Sequence, residues 1–340
     1  MYIIKQIPED FIVKELSKPK IEPGSYSYFK LKKTQWTTIA AIKQIAIRAR
    51  MNTKFIGIAG NKDKEGITEQ TISIFRTNKE RIKDLKIKDI ELEFLGTGKE
   101  RINLGDSEGN EFVITIRNLD EELYETPKLL PDYFDDQRFG VNKQTHLIGK
   151  AIVKKDFQKA VELINDPEAN EFLKRKKNDY VGAIRLIDKK MLRLYMHAYE
   201  SYLWNLCVSK YLEKFDYYKI PYSLGELNVN KNALDNIEVP ILGFLTEFKN
   251  KEIEKIYYEI MREEDLTLRD FVIRQIPELT TEGASRLLFF EVKNYKLISI
   301  DKDDLNHRKL KEVVSFRLPK GAYATLVIKY LYFKEKSNLK

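Results

Sequence analysis

The chain has 340 residues, 33% charged and 43% hydrophobic, with 60 Lys and Arg against 52 Asp and Glu. This balance excludes a disordered chain, and the length allows two domains. A net charge of +8 and a pI near 9.1 point to an anionic partner such as nucleic acid, or to a basic bias of the whole proteome. The single cysteine, Cys207, excludes an intrachain disulfide, and no apolar run reaches membrane-spanning length. The sequence therefore reads as that of a soluble cytoplasmic protein.

In chain order, residues 1–118 read as mixed α/β. Thr37 or Thr38 caps a helix reaching about Arg50, with Ile39, Ile42, Ile45 and Ala46 on one face. Phe55–Ile58, Thr71–Phe75 and Phe112–Ile116 read as strands, the last two by their alternation. Gly105–Asn110 reads as a hairpin loop between strand-like runs. Thr145–Leu163 and Lys190–Lys214 read as helices, the second apolar almost all round and hence buried. From about 215 to 300, Pro221, Pro240, Gly243 and Pro277 punctuate short mixed segments. Val313–Phe316 and Tyr323–Phe333 then read as β-like runs. Such an order suggests an inserted domain, with both chain ends in one sheet.

Several chemistries can be set aside. His146, His197 and His307 stand far apart and there is no CxxC, so no metal site is expected. Gly105-Asp106-Ser107-Glu108-Gly109 matches GxSxG, but a strand follows where a nucleophile elbow needs a helix. Neither a phosphate-binding GxxxxGK[ST] loop nor a GxGxxG after a strand is present, so no nucleotide cofactor is expected. What remains is AGNKDKEGITEQ, residues 59–70, in which Asp63 lies between Lys62 and Lys64 at a strand end. It reads either as a solvated surface turn or as a nucleophile or base held ionised by cations. Spacing does not choose between them.

A resemblance does. AGNKDKEGITEQ resembles the AGxKDxxAxTxQ signature of the TruD family of tRNA pseudouridine synthases, with Gly66 where the family usually has Ala. Lys5 and Pro8–Val13 resemble its N-terminal Lys…PEDFxV. Arg101, Leu104-Gly105 and Gly109–Phe112 resemble RxxLGxxxGNxF, and Asp132–Gly140 resembles NYFGxQRFG. Ala198–Asn205 resembles its core-helix signature, and Leu318–Thr325 its LPxGxYAT. The blocks run from residue 5 to 325 in the family's order. Residues 215–310 match poorly apart from Pro240…Gly243 and Glu282-Gly283…Arg286. Asp132 stands where the family has Asn.

The resemblance implies an α+β fold. A mixed, largely antiparallel sheet with flanking helices is expected from residues 1–155 and 300–340, with an inserted α/β domain over 156–299. It implies isomerisation of uridine, at position 13 of tRNA, to pseudouridine, with Asp63 as catalytic aspartate and Lys5 as its accompanying lysine. The N1–C1′ bond breaks, the uracil turns, and C5 joins C1′. The reaction is redox-neutral and calls for no cofactor or metal; Asp63 acts as a nucleophile, or as a base and charge stabiliser. Flipping the uridine costs a few kcal/mol, and stacking on an aromatic ring returns about 1–3 kcal/mol; Phe134 is the matching ring, or else a core phenylalanine. Asn110, Asp132 and Arg138 complete the substrate-binding positions carried over, Arg138 with Phe139 as structural or backbone-contacting. Asp132 is expected either to accept a hydrogen bond from a backbone N–H in the turn before Phe134 or to sit by the uracil, where a second carboxylate close to Asp63 raises one of the two pKa values. The run Lys174–Lys177 offers phosphate contacts or simply a solvated helix face. The partner is tRNA, with no membrane, and a monomer is favoured. The same chemistry on another RNA, or a non-catalytic RNA-binding protein of this fold, are the alternatives.

Overall fold

The computed structural model describes residues 1–123 and 126–338, the side chains of 335–338 apart. The chain divides into two compact units, Met1–Lys128 with Glu291–Ala324 and Leu129–Phe290 with Thr325–Lys340. The expected boundary at 155/156 falls between two helices of the second unit, and that at 299/300 inside a strand of the first.

The first unit is built on an eight-stranded sheet. Its strands β1 (Phe11–Leu16), β2 (Tyr26–Thr34), β3 (Ile56–Ile58), β4 (Ile67–Phe75), β5 (Ile90–Gly98) and β6 (Gly109–Leu119) come from the N-terminal stretch. Strands Lys293–Lys302 and Leu310–Pro319 return from the far end of the sequence. Across the sheet the order is 293–302, 310–319, β6, β1, β4, β2, β5, with β3 also beside β4. Every pairing is antiparallel except that of β1 with β4. The expected mixed, largely antiparallel sheet is what forms; strands 293–302 and 310–319 join the N-terminal strands in it, while residues 325–338 are helical and belong to the second unit.

One helix, Thr38–Arg48, covers a face of this sheet; the Thr37 hydroxyl caps it by accepting from the Ala40 N–H. Ala41, Ile42, Ile45, Ala46 and Ala49 pack against Phe29, Leu31, Ile56, Ile72 and Ile74. Burying each of these isoleucines contributes roughly 1.5–3 kcal/mol. Ile39, expected on this face, is 55% exposed, because the buried arc is centred on residues 41, 42, 45 and 49.

Three other expectations are corrected. Gly105–Asn110 is not a hairpin loop, since β5 pairs with β2 whereas β6 lies between β1 and strand 310–319. The 145–163 helix is two, Thr145–Val153 and Phe157–Ile164. Lys155 takes φ +62° between them and Asp156 caps the second. Residues 323–333 are not strand: 324–333 belong to the helix Ala324–Asn338, buried at Ala324, Leu326, Val327, Ile328 and Leu331. An apolar run buried on several sides carries no periodicity that separates helix from strand.

The second unit is organised by the helix Lys189–Leu212, whose Tyr199, Leu203, Trp204, Cys207 and Val208 are fully buried. Helix Thr145–Val153 approaches it so closely at Gly149 that a Cβ there would lie 2.1 Å from the Tyr195 carbonyl oxygen. Helices Phe157–Ile164, Pro167–Arg175, Tyr180–Ile184 and Lys251–Glu263 and the strand pairs 217–222/225–230 and 238–241/284–287 also belong to this unit. Among the described residues no helix is long and apolar enough to cross a membrane, and no group of three or more His, Cys, Asp or Glu could hold a metal ion.

Candidate active site

The sheet topology creates the loop that carries Asp63. β1 lies along β4 at Ile67–Glu69 and β3 along it at Ile72–Ile74. Because β1 occupies the flank that a β3–β4 hairpin would need, residues 59–66 must leave the sheet. Hydrogen bonds then hold the loop. The Gly105 N–H donates to the Ala59 carbonyl (2.8 Å), and the Gln70 amide donates to the Gly60 carbonyl (3.1 Å). The Lys62 N–H donates to the Thr38 hydroxyl (2.9 Å), which itself donates to Gln70 Oε1 (2.8 Å). The Lys33 ammonium donates to the carbonyl of Asp63 (2.8 Å). Arg101 steadies β3 from outside by donating to the carbonyls of Lys54 and Ile56.

Gly66, where the family signature has Ala, closes the loop at φ +107°, and a Cβ there would lie 2.2 Å from the Phe11 carbonyl oxygen. In this conformation the position admits only glycine.

Lys5 arrives from a separately anchored segment. Ile3 and Arg117 exchange two backbone hydrogen bonds, and the buried Arg117 guanidinium binds Asp10 and Asp303, each at 2.8 Å. Asp10 in turn accepts from the Ile7 N–H (3.0 Å). Between these anchors Lys5 adopts φ +63°, a conformation that non-glycine residues rarely take. Its ammonium reaches 3.5 Å from Asp63 Oδ2, 3.9 Å from Glu65 Oε2 and 4.3 Å from the centroid of the Phe11 ring. The Lys5 side chain is 13% exposed and that of Asp63 48%. A fixed cation thus stands beside a half-exposed carboxylate.

Of the other expected positions, Asn110 is also in the first unit, on β6 between Glu15 of β1 and Leu318. Its Oδ1 is buried and has no hydrogen-bond partner among the described residues. Asp132, Phe134 and Arg138 cluster in the second unit. The expected backbone partner of Asp132 is replaced by a side chain: Arg286 Nη2 donates to Asp132 Oδ1 (2.6 Å), and Arg286 Nε to the Asp132 carbonyl (2.9 Å). Strand 284–287 brings this guanidinium to the turn, where it outcompetes a neutral N–H for a carboxylate. Burial pushes the Asp132 carboxyl up to about 7, against the opposing pull of Arg286. Phe134 is 4% exposed, with the Arg286 and Arg138 guanidinium groups 4.3 and 5.2 Å from its centroid and Trp204 edge-on. Asn205 pairs with its backbone at both N–H and C=O. Asp135, at the Gly position of NYFGxQRFG, binds the Lys329 ammonium (2.6 Å) and the Thr325 hydroxyl.

Lys174 and Arg175 end a solvated helix and pair with Glu171. Ser107 of the GxSxG match bonds to its own turn at Gly109. Two features escaped the sequence reading. One is the buried pair of Lys62 with Glu15 (2.6 Å), and the other is the buried Lys33 beneath the loop. Alternation along β2 puts residue 33 on the face of Phe29 and Leu31, a signal that was available.

The sequence profile of the family described as tRNA pseudouridine synthase D (TruD) matches residues 2–171, 164–223 and 225–331. A relative from Methanosarcina mazei, named probable tRNA pseudouridine synthase D, is 31% identical over 96% of this chain and 92% of its own. One from Aquifex aeolicus, named tRNA pseudouridine synthase D, is 28% identical over 97% of each chain. A crystal structure of a Methanosarcina mazei protein carrying the same name superposes with a TM-score of 0.73 at 30% identity, covering 97% of this chain and 93% of that one. Sheet, loop and profile agree, and the chain belongs to the TruD family of tRNA pseudouridine synthases.

Proposed function

We propose that this enzyme converts uridine 13 of tRNA to pseudouridine, with Asp63 as the catalytic carboxylate and Lys5 as its partner. The observation that carries this reading is the Lys5–Asp63 pair, 3.5 Å apart on two independently anchored segments. Around it, hydrogen bonds from β2, β4 and the helix Thr38–Arg48 hold the loop. Isomerisation breaks N1–C1′, forms C5–C1′, removes the C5 proton and places one on N1. A carboxylate at the sugar serves this chemistry as a nucleophile at C1′ or as a base toward a glycal, and the lysine offsets its charge.

In this reading the catalytic Asp63 and Lys5 belong to the first compact unit, and the second, which takes in most of the expected insertion, helps to hold tRNA. Phe134 is the ring for the flipped uracil, which requires its buried face to be uncovered and the Arg286 contact to move. Asn110, Asp132 and Arg138 serve the substrate side. The buried thiol of Cys207 needs no oxidising compartment, which supports a cytoplasmic site of action.

The test is pseudouridine mapping in tRNA incubated with the wild type and with Asp63→Asn. The wild type should modify one uridine, at position 13, and Asp63→Asn none, while both bind tRNA alike. Modification elsewhere would overturn the site, and turnover by Asp63→Asn would overturn the role of Asp63.

A further inference from the structure

Lys33 takes no part in the chemistry just described, yet it is among the most deeply buried large side chains of the protein, at 1% exposure. It follows Phe29 and Leu31 on the core face of β2, where the alternation calls for an apolar residue. Fully buried lysines are rare unless matched. Burial pushes the Lys33 ammonium down to about 8; Asp63 opposes this and Lys62 adds to it. The donors of Lys33 reach two carbonyls at the end of its strand, those of Trp36 and Asp63. Trp36 immediately precedes the capping residue of the helix Thr38–Arg48, so one side chain ties strand, helix start and loop together. The loop is thus gripped on both sides of the Asp63 side chain. Thr38 takes the N–H of Lys62, and Lys33 takes the carbonyl of Asp63.

We propose that Lys33 is a positioning residue for Asp63, fixing the peptide that leaves it and so the direction of its carboxylate. The inference rests on Asp63 being the reacting carboxylate. A methionine at position 33 would fit the apolar face while leaving the Asp63 carbonyl without this donor, and the loop would then sample other backbone angles. A displacement of an ångström at a reacting group costs about a hundredfold in rate. Affinity for tRNA, set by surfaces far larger than this loop, would be spared.

The test compares single-turnover rates and KM on a tRNA transcript for wild type, Lys33→Met, Lys33→Gln and Asp63→Asn, with thermal unfolding measured alongside. Lys33→Met should lower kcat about ten- to a hundredfold with KM within about twofold of wild type. Lys33→Gln, which can still donate one N–H to the carbonyl, should recover part of that loss. An unchanged kcat in Lys33→Met, equal impairment of the two variants, or kcat and KM changing together with a lowered melting temperature would overturn the proposal. Should Lys33→Met not fold, Lys33→Gln alone decides: a lower kcat at unchanged KM supports the role and an unchanged kcat overturns it. Turnover by Asp63→Asn would remove the premise, whereas its inactivity beside an unaffected Lys33→Met would overturn this inference alone.

Discussion

Lys62 turns away from Asp63, its neighbour in sequence, and places its ammonium 2.6 Å from Oε2 of Glu15, whose side chain is wholly buried. The cation beside Asp63 comes instead from Lys5. Glu15 and Asp63 are thus each matched with a lysine from another part of the chain, and the two pairs do different work.

The Lys62–Glu15 pair is structural. Lys62→Met would leave a buried carboxylate without its cation, which costs about 3–5 kcal/mol. Urea unfolding should show a loss of that order for the single variant. Lys62→Met combined with Glu15→Met should regain most of it, since a buried pair is often replaceable by apolar residues. A double variant no better than the single one would contradict this account.

The Lys5–Asp63 pair is open to solvent on the Asp63 side and is 3.5 Å apart, so it contributes only roughly 0–1 kcal/mol to folding. Lys5→Met should therefore shift the melting temperature by no more than about 4 °C. Its turnover on tRNA should nevertheless drop by about a hundredfold or more, the scale of a fixed charge at a reacting centre. Near-normal turnover would take Lys5 out of the site.

Gly66 offers a test against the family pattern. Replacing it with the Ala of the family signature would strain φ +107° and drive a Cβ against the Phe11 carbonyl. Gly66→Ala should cost about 1–3 kcal/mol of stability here. An unchanged melting temperature would mean that the loop closes by another path in solution.

Asp132 links pH to stability. Folded, it holds its proton up to about 7, while in the unfolded chain it ionises in the ordinary carboxylate range. Between those values the folded state binds more protons, so this residue's contribution declines as pH rises and levels off above about pH 7. Asp132→Asn keeps an oxygen for Arg286 and abolishes the titration, so the difference between urea midpoints at about pH 5 and about pH 8 should shrink. Turnover should stay near wild type. Asp132→Ala, which deprives Arg286 of its carboxylate, should cost about 3 kcal/mol. An unaltered pH dependence in Asp132→Asn would refute the assignment.

Much of this arrangement could be read from the residues. Thr37 before an apolar 3.6-residue repeat announced a helix and its cap, and alternation in β4 and β6 announced strands. The 59–70 stretch announced a loop at a strand end, and its resemblance pointed to Asp63 within it. The segment 323–333 was misread because a run buried on several sides looks alike in either conformation. Gly105–Asn110 was misread as a hairpin because a polar turn does not reveal which strands lie beside each other.

What the sequence by itself determined are the features that depend on near neighbours: caps, alternation, and the order of the family blocks. Only the tertiary structure decided which lysine meets Asp63. Lys62 and Lys64 adjoin it in the chain, but β1 beside β4 draws Lys62 to Glu15, and the bridge between Ile3 and Arg117 anchors the segment that delivers Lys5. The burial of Lys33 was equally a tertiary decision. Alternation assigned it a face, but that face became a closed interior only when the helix Thr38–Arg48 and the Asp63 loop covered it. Charge pairing and burial depend on which segments the sheet brings side by side, and that is a property of the assembled fold.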